Sequence, residues 1–357
     1  MCPETAFKEY ATRSAIVKAL SKTRCIIRPP LLGTGIIADL AAEDAEKTIC
    51  LRADLDALPI PEESGLSYAS RHSGFMHACG HDGHSAILVA TALVLSRLRK
   101  YLRKNVRFVF QPAEEMECGG SLSVKKGALR GVSEAYALHC WPGYPVGSIV
   151  CKKGYFFAAN GSFTICVRGK SAHGALPEKG KNPIPASGEI ALRLNELHAK
   201  MQKKDAVVSV CMIHAGTSAN VIPGDLILKG TTRFFEPRVG ELLIRRIRDI
   251  ARSARKRYGL KVDVAYESKY HLPVFNSVSA VNRLMALAKS IQIPYIEAAR
   301  PFMTSEDFAF YLNEREGALF LLGQGKKSQA LHSSRFDFND ESIAPGVRMF
   351  SSLALSD

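Results

Sequence analysis

Apolar residues in the first 150 positions follow two alternating rhythms. Ile36-Ile37-Ala38-Asp39-Leu40 and Thr48-Ile49-Cys50-Leu51-Arg52-Ala53-Asp54 are compact apolar runs that predict strands. Residues 106–110 and 135–139 are two more, each bounded by polar or turn-forming positions. Between them, Ile87, Leu88, Ala90, Thr91, Leu95 and Leu98 recur at helical spacing and predict a helix over 84–98. Strand and helix in alternation imply a mostly parallel sheet covered by helices.

The middle of the chain changes pattern. Residues 161–167 alternate as a strand and 183–200 read as a helix. Residues 206–214 and 225–235 are strands around a turn at 220–224. A long amphipathic helix over 237–258 and a strand over 261–267 follow. The order β-α-β-β-α-β is the ferredoxin-like pattern, a complete small α+β domain. Helices over 278–291 and 343–355 and a buried strand over 318–322 then return to the first pattern. The expected organisation is an α/β domain formed by 1–153 and 270–357, interrupted by an inserted domain over 154–269.

The length of 357 residues agrees with two cores. A hydrophobic content of 46% and a charged content of 23% describe an ordinary globular chain. No apolar run approaches the roughly 18 residues a membrane helix needs, and Met1-Cys2-Pro3-Glu4 begins no secretory signal pattern. The nine cysteines are irregularly spaced, several inside strand-like runs, and read as reduced thiols. The expected compartment is the cytoplasm, with no membrane partner. The net charge of +14 raises the question of nucleic acid. The densest basic stretch, 245–257, lies on the outer face of the amphipathic helix without interleaved aromatics, so no nucleic-acid partner is expected. A positive field would favour anionic substrates.

The chemistry concentrates in a few places. In His77-Ala78-Cys79-Gly80-His81-Asp82-Gly83-His84, a thiol and an imidazole two residues apart can turn onto one metal ion. Glu114 and Glu115 follow one predicted strand, His139 ends another, and Asp54 and Asp56 end a third. Parallel sheets build sites at the carboxyl ends of their strands. His332, in Leu331-His332-Ser333-Ser334, adds a further imidazole. Cys, His, Glu, His and His suffice for a two-metal hydrolytic centre. The adjacent Glu114-Glu115 pair suggests that one carboxylate ligates while the other carries a proton.

These motifs resemble those of the N-acyl-amino-acid amidohydrolase family of metallopeptidases, which includes hippurate, indoleacetyl-amino-acid and N-acetyl-diaminopimelate hydrolases. The resemblance spans essentially the whole chain. It runs through Pro3-Glu4, Arg52-Ala53-Asp54-Leu55-Asp56-Ala57-Leu58-Pro59, the Cys79 stretch and Gln111-Pro112-Ala113-Glu114-Glu115. It continues in Leu138-His139-Cys140-Trp141-Pro142, Gly169-Lys170-Ser171-Ala172-His173-Gly174, Ala219-Asn220-Val221-Ile222-Pro223, Ser305-Glu306-Asp307-Phe308 and Leu331-His332-Ser333.

The resemblance implies ligands at Cys79, His81, Glu115, His139 and His332, with Cys79 bridging two divalent ions. Manganese or zinc is expected, with nickel and cobalt as alternatives. It implies Glu114 as general base and acid, and His173 as a donor to the oxyanion. Asn220 and Arg233 would grip the substrate carboxylate, Asp54 would orient a ligand histidine, and Glu306 and Asp307 would serve the cleft. The inserted domain would be a lid through which two copies pair, and the substrate a small N-acyl amino acid or short peptide. The family's usual histidine before the Pro-Glu motif has no counterpart in this sequence. Two other readings remain beside this one: a cysteine-nucleophile amidase using Cys79 with His81 or His84, and a non-catalytic binder of acyl-amino acids.

Overall fold

The computed structural model describes residues 1–270 and 272–356, with 268–270 described by backbone alone. The chain divides into two compact units. The first gathers Met1–Phe156, Val274–Pro301 and the chain from Glu306 onward; the second gathers Phe157–Pro273 and Phe302–Ser305.

The first unit is built on a mixed eight-stranded sheet. Its order is Ile26–Ile27, Ile36–Leu40, Asn105–Gln111, Thr48–Asp54, Glu134–Trp141, Glu316–Gly323, Ile149–Cys151 and Tyr295–Glu297. The four central strands, from Asn105–Gln111 to Glu316–Gly323, run parallel. Ile36–Leu40 pairs antiparallel at one side and Ile149–Cys151 at the other. Leu51, Phe108, Tyr136 and Phe320 come from these strands and are fully buried, each contributing roughly 1.5–3 kcal/mol of apolar transfer. Helices His81–Arg97, Val278–Ser290 and Ile343–Leu355 supply Leu88, Leu284 and Leu353 to the same core.

The helix predicted from 84 begins three residues earlier, at His81. Periodicity missed this turn because His81, Asp82 and Gly83 carry no apolar stripe. Gly80 makes the early start feasible: its φ of 81° is left-handed, and a Cβ there would collide with the sulfur of Cys140.

The second unit is a four-stranded antiparallel sheet in the order Val207–Ala215, Asp225–Phe234, Ala159–Arg168, Lys261–Tyr270. Helices Ile184–Met201 and Pro237–Tyr258 cover it through Ile190, Leu194, Leu243 and Ile247, which meet Phe163, Ile165 and Leu228 of the strands. The inserted domain is expected over 154–269; the compact unit here comprises Phe157–Pro273 and Phe302–Ser305, and within it Ala158 N–H donates to the carbonyls of Phe302 and Thr304. Among the described residues no helix is long and apolar enough to cross a membrane.

Candidate metal centre

Three strand ends and one helix start converge in the first unit. Asp54 closes Thr48–Asp54 and pairs in register with Gln111, the last residue of the neighbouring strand. The chain leaves Gln111 through Pro112 and Ala113, whose φ of 60° turns it into the short helix Glu114–Glu117. His139 lies near the end of Glu134–Trp141, and Cys79 and His81 flank Gly80 at the start of His81–Arg97. His332 also has positive φ, 65°, and its backbone N–H donates to the carbonyl of Ala78 at 2.7 Å.

Two donor triads share one sulfur. Single ligand atoms of Cys79, His81 and His139 lie within 4.8 Å of one another, and so do those of Cys79, Glu115 and His332. His81 Nδ1 donates to the carbonyl of Asp56 at 2.9 Å, which leaves its Nε2 buried and without a hydrogen-bond partner. His139 Nδ1 donates to the carbonyl of Cys140 at 2.8 Å, and its Nε2 is 3.5 Å from Cys79 Sγ. Backbone carbonyls thus hold a proton on Nδ1 of both rings and leave Nε2 as the lone-pair nitrogen, the usual preparation of a ligand histidine. Glu115 Oε1 is buried too. It stands 3.2 Å from His332 Nε2 but makes no hydrogen bond in that geometry. A buried imidazole nitrogen and a buried carboxylate oxygen left unsatisfied are costly unless something bridges them. A thiolate, three imidazoles and a carboxylate fit a pair of divalent ions.

Supporting groups hold this set in place. The carboxylate of Asp56 accepts the backbone N–H groups of Glu114 and Glu115, each at 3.0 Å. Asp54, expected to orient a ligand histidine, hydrogen-bonds a different one: His84 Nδ1 donates to its Oδ1 at 2.6 Å. His84 Nε2 accepts the backbone N–H of Cys140 at 2.8 Å. Both of its nitrogens are therefore committed, and burial pushes its pKa down to about 4. Arg52 is wholly buried between Asp54 and Asp307, at 2.6 and 2.7 Å. Burial, and after it the charge of Glu306, raises the carboxyl of Glu114 well above its ordinary range.

Arg52 is not among the expected site residues, His84 enters them only as an alternative partner of Cys79, and Asp56 only as a strand-end acid. One signal was present: Arg52, Asp54 and Asp56 stand at alternate positions, charged, along an otherwise apolar run. Glu306 and Asp307, expected at the cleft, are buried against Arg52.

His173, Asn220 and Arg233 belong to the second unit. His173 pairs with Val221 across a two-stranded ribbon, and Gly174 N–H donates to the carbonyl of Asn220 at 2.7 Å. These two residues share one exposed corner. His173 Nδ1 accepts the N–H of Ala175 at 3.1 Å, so its proton sits on Nε2. Arg233 lies on Asp225–Phe234, where Nη1 donates to Asn160 Oδ1, Thr231 Oγ1 and the carbonyl of Thr232. Among the described residues no carboxylate pairs with it.

Known proteins resemble this chain in sequence and in fold. The sequence pattern of peptidase family M20/M25/M40 matches residues 50–356. An N-acetyl-L-cysteine deacetylase of Bacillus subtilis is 35% identical over 323 residues, 90% of this chain and 77% of that protein. An N-acetyldiaminopimelate deacetylase of Streptococcus uberis is 34% identical over 328 residues, 90% of this chain and 87% of that one. The crystal structure of the Bacillus subtilis YXEP protein, described as a dinuclear metal binding peptidase, superposes with a TM-score of 0.88 at 32% identity. It covers 99% of this chain and 94% of its own.

Proposed function

This chain belongs to peptidase family M20/M25/M40, and on that premise we propose that it is a metal-dependent hydrolase cleaving the amide bond of N-acyl amino acids. The observation that carries the reading is the sharing of Cys79 by two donor triads, with His81 Nε2 and Glu115 Oε1 buried and unsatisfied beside it. Cys79, His81, Glu115, His139 and His332 would hold two divalent ions, manganese or zinc first, nickel or cobalt as alternatives. Bound there, the ions would supply Lewis-acid activation of water and of the acyl carbonyl. The relatives that remove acetyl groups from cysteine and diaminopimelate support a small N-acylated amino acid or short peptide as substrate.

The residues divide the remaining work. Glu114, held beside Glu115 by the carboxylate of Asp56, takes the proton of the attacking water and returns it to the departing amine. His173 carries its proton on Nε2 and donates to the oxyanion. Arg233, with no acidic partner among the described residues, receives the substrate carboxylate through its fork, with Asn220 beside it in that role. The second unit acts as a lid and as the contact of a homodimer. The free thiols accord with a reducing compartment, the cytoplasm, and no nucleic acid or membrane partner is proposed.

One observation favours a second reading. Cys79 Sγ and His139 Nε2 at 3.5 Å could form a nucleophile and base. Against it, burial followed by the charge of Glu115 raises the Cys79 thiol well above its ordinary range, so without a cation it stays protonated. The test strips the protein of metal, reloads it with manganese or zinc, and offers acetyl, benzoyl and indoleacetyl amino acids. We expect activity to vanish on stripping and return with metal. Glu114→Gln should keep its metal and lose roughly 100- to 10,000-fold in kcat. Hydrolysis that ignores chelators but dies on thiol alkylation would overturn the metallohydrolase in favour of the cysteine nucleophile.

A further inference from the structure

We propose that Arg52 is a positioning residue for this reaction, one planar group that fixes the Asp54–His84 pair and the surroundings of Glu114 in a single geometry. Its three nitrogens reach three different segments. Nη1 donates to Asp54 Oδ2 at 2.6 Å, Nη2 to Asp307 Oδ1 at 2.7 Å, and Nε to Gln111 Oε1 at 3.0 Å. Glu306 Oε1 lies 3.2 Å from Nη2.

Each contact leads on toward the metal centre. Asp54 holds His84, which accepts the N–H of Cys140, next in the chain to His139. Asp307 accepts from Gln111 Nε2 at 3.0 and 2.9 Å and from the N–H of Gly120 at 2.6 Å. The backbone N–H of Asp307 in turn faces Glu114 Oε1 at 3.4 Å. A guanidinium that loses all contact with water bears a large desolvation cost, and apolar side chains of similar volume are often at least as stabilising. Only a fork with separated N–H groups spans Asp54, Asp307 and Gln111 together. The point charge of a lysine cannot.

Arg107 is the natural comparison. It is also buried and bound to a carboxylate, Asp39 at 2.7 Å. Its other bonds go to the carbonyls of Ala128 and Arg130, away from the metal-binding residues. A fold-supporting arginine and a positioning arginine should therefore respond differently to the same change.

The experiment compares Arg52→Lys with Arg107→Lys in the full chain. It measures metal content, melting midpoint, kcat and KM, and the visible spectrum of the cobalt-loaded protein. Arg52→Lys should hold two ions and lose roughly 100-fold in kcat, with KM within about threefold of wild type. Arg107→Lys should lower the melting midpoint and leave kcat unchanged. Equal kcat values for the two variants overturn the proposal, as does a loss in Arg52→Lys that follows its metal content. If Arg52→Lys fails to fold, Asp307→Asn carries the same expectation: lower kcat at full metal content supports the proposal, and unchanged kcat overturns it. The activity readout rests on the amide-hydrolase reading. Should the wild type cleave none of the substrates, that reading fails by itself, and the cobalt spectrum decides for Arg52. A shifted ligand field in Arg52→Lys supports positioning, and superimposable spectra overturn it.

Discussion

A buried imidazole with both nitrogens occupied behaves differently from one with a nitrogen to spare. His84 donates to Asp54 and accepts from Cys140, so its neutral form completes the network and a second proton would break it. Burial first, opposed in part by Asp54, brings its pKa from 6.5 down to about 4. Between those values the unfolded chain binds a proton that the folded chain refuses. The stabilisation is thus complete above about pH 6.5 and is lost as pH falls toward about 4. For a shift of this size the ceiling is about 3 kcal/mol. His84→Asn lacks the titrating group. In denaturant unfolding of the metal-free protein, the stability gap between wild type and His84→Asn should narrow as pH drops through that window. A gap independent of pH would show that His84 is not held neutral.

At the level of elements, the site depends on how tightly the chain turns after Gln111. Ala113 and Cys118 both have positive φ, and the helix between them is a single turn, Glu114–Glu117. Gly119 N–H closes the turn on the carbonyl of Ala113 at 2.9 Å. A Cβ on Gly119 would overlap the carbonyl oxygen of Pro112, which is backbone and cannot move aside cheaply. Gly119→Ala should therefore cost about 1–3 kcal/mol and disturb Glu114 and Glu115 with it. Gly188, exposed on helix Ile184–Met201 with nothing near its Cβ position, is the contrast. Gly188→Ala should be stabilising by about 0.5–1 kcal/mol. Melting midpoints and metal content of the two variants check both expectations, and a neutral Gly119→Ala would mean the turn has slack.

This turn also marks how far the sequence could be read. Long apolar periods announced the parallel strands and the helix Pro237–Tyr258, because burial on a regular face leaves a regular trace. The candidate ligands were legible because thiol, imidazole and carboxylate groups clustered beside those strands. The one-turn helix, the early start at His81 and the partnership of Asp54 with His84 left no period. They arise from left-handed residues and from contacts between segments far apart in sequence. Arg52 was visible only as a charge in an apolar run, and its partner Asp307 lies 255 positions away.

For the whole molecule, the second unit offers a physical handle on the pairing of two copies. Val207–Ala215 is the terminal strand of its sheet, bonded on one side to Asp225–Phe234. It exposes Met212 and Ile213, the latter at 52%. An exposed edge with apolar side chains and unused backbone groups is a template for another strand, and here a second copy is the proposed occupant. Charge opposes that pairing, since each chain carries +14. Salt that shortens the screening length to about 8 Å should weaken the repulsion more than it weakens apolar contact. Sedimentation should accordingly give twice the 39.0 kDa chain mass, with a dissociation constant that falls as salt rises. Ile213→Lys places a further charge on the edge and should shift the protein to monomer while leaving its metal content intact. A wild type that sediments as a monomer at every salt and protein concentration would assign the exposed edge to something other than self-pairing.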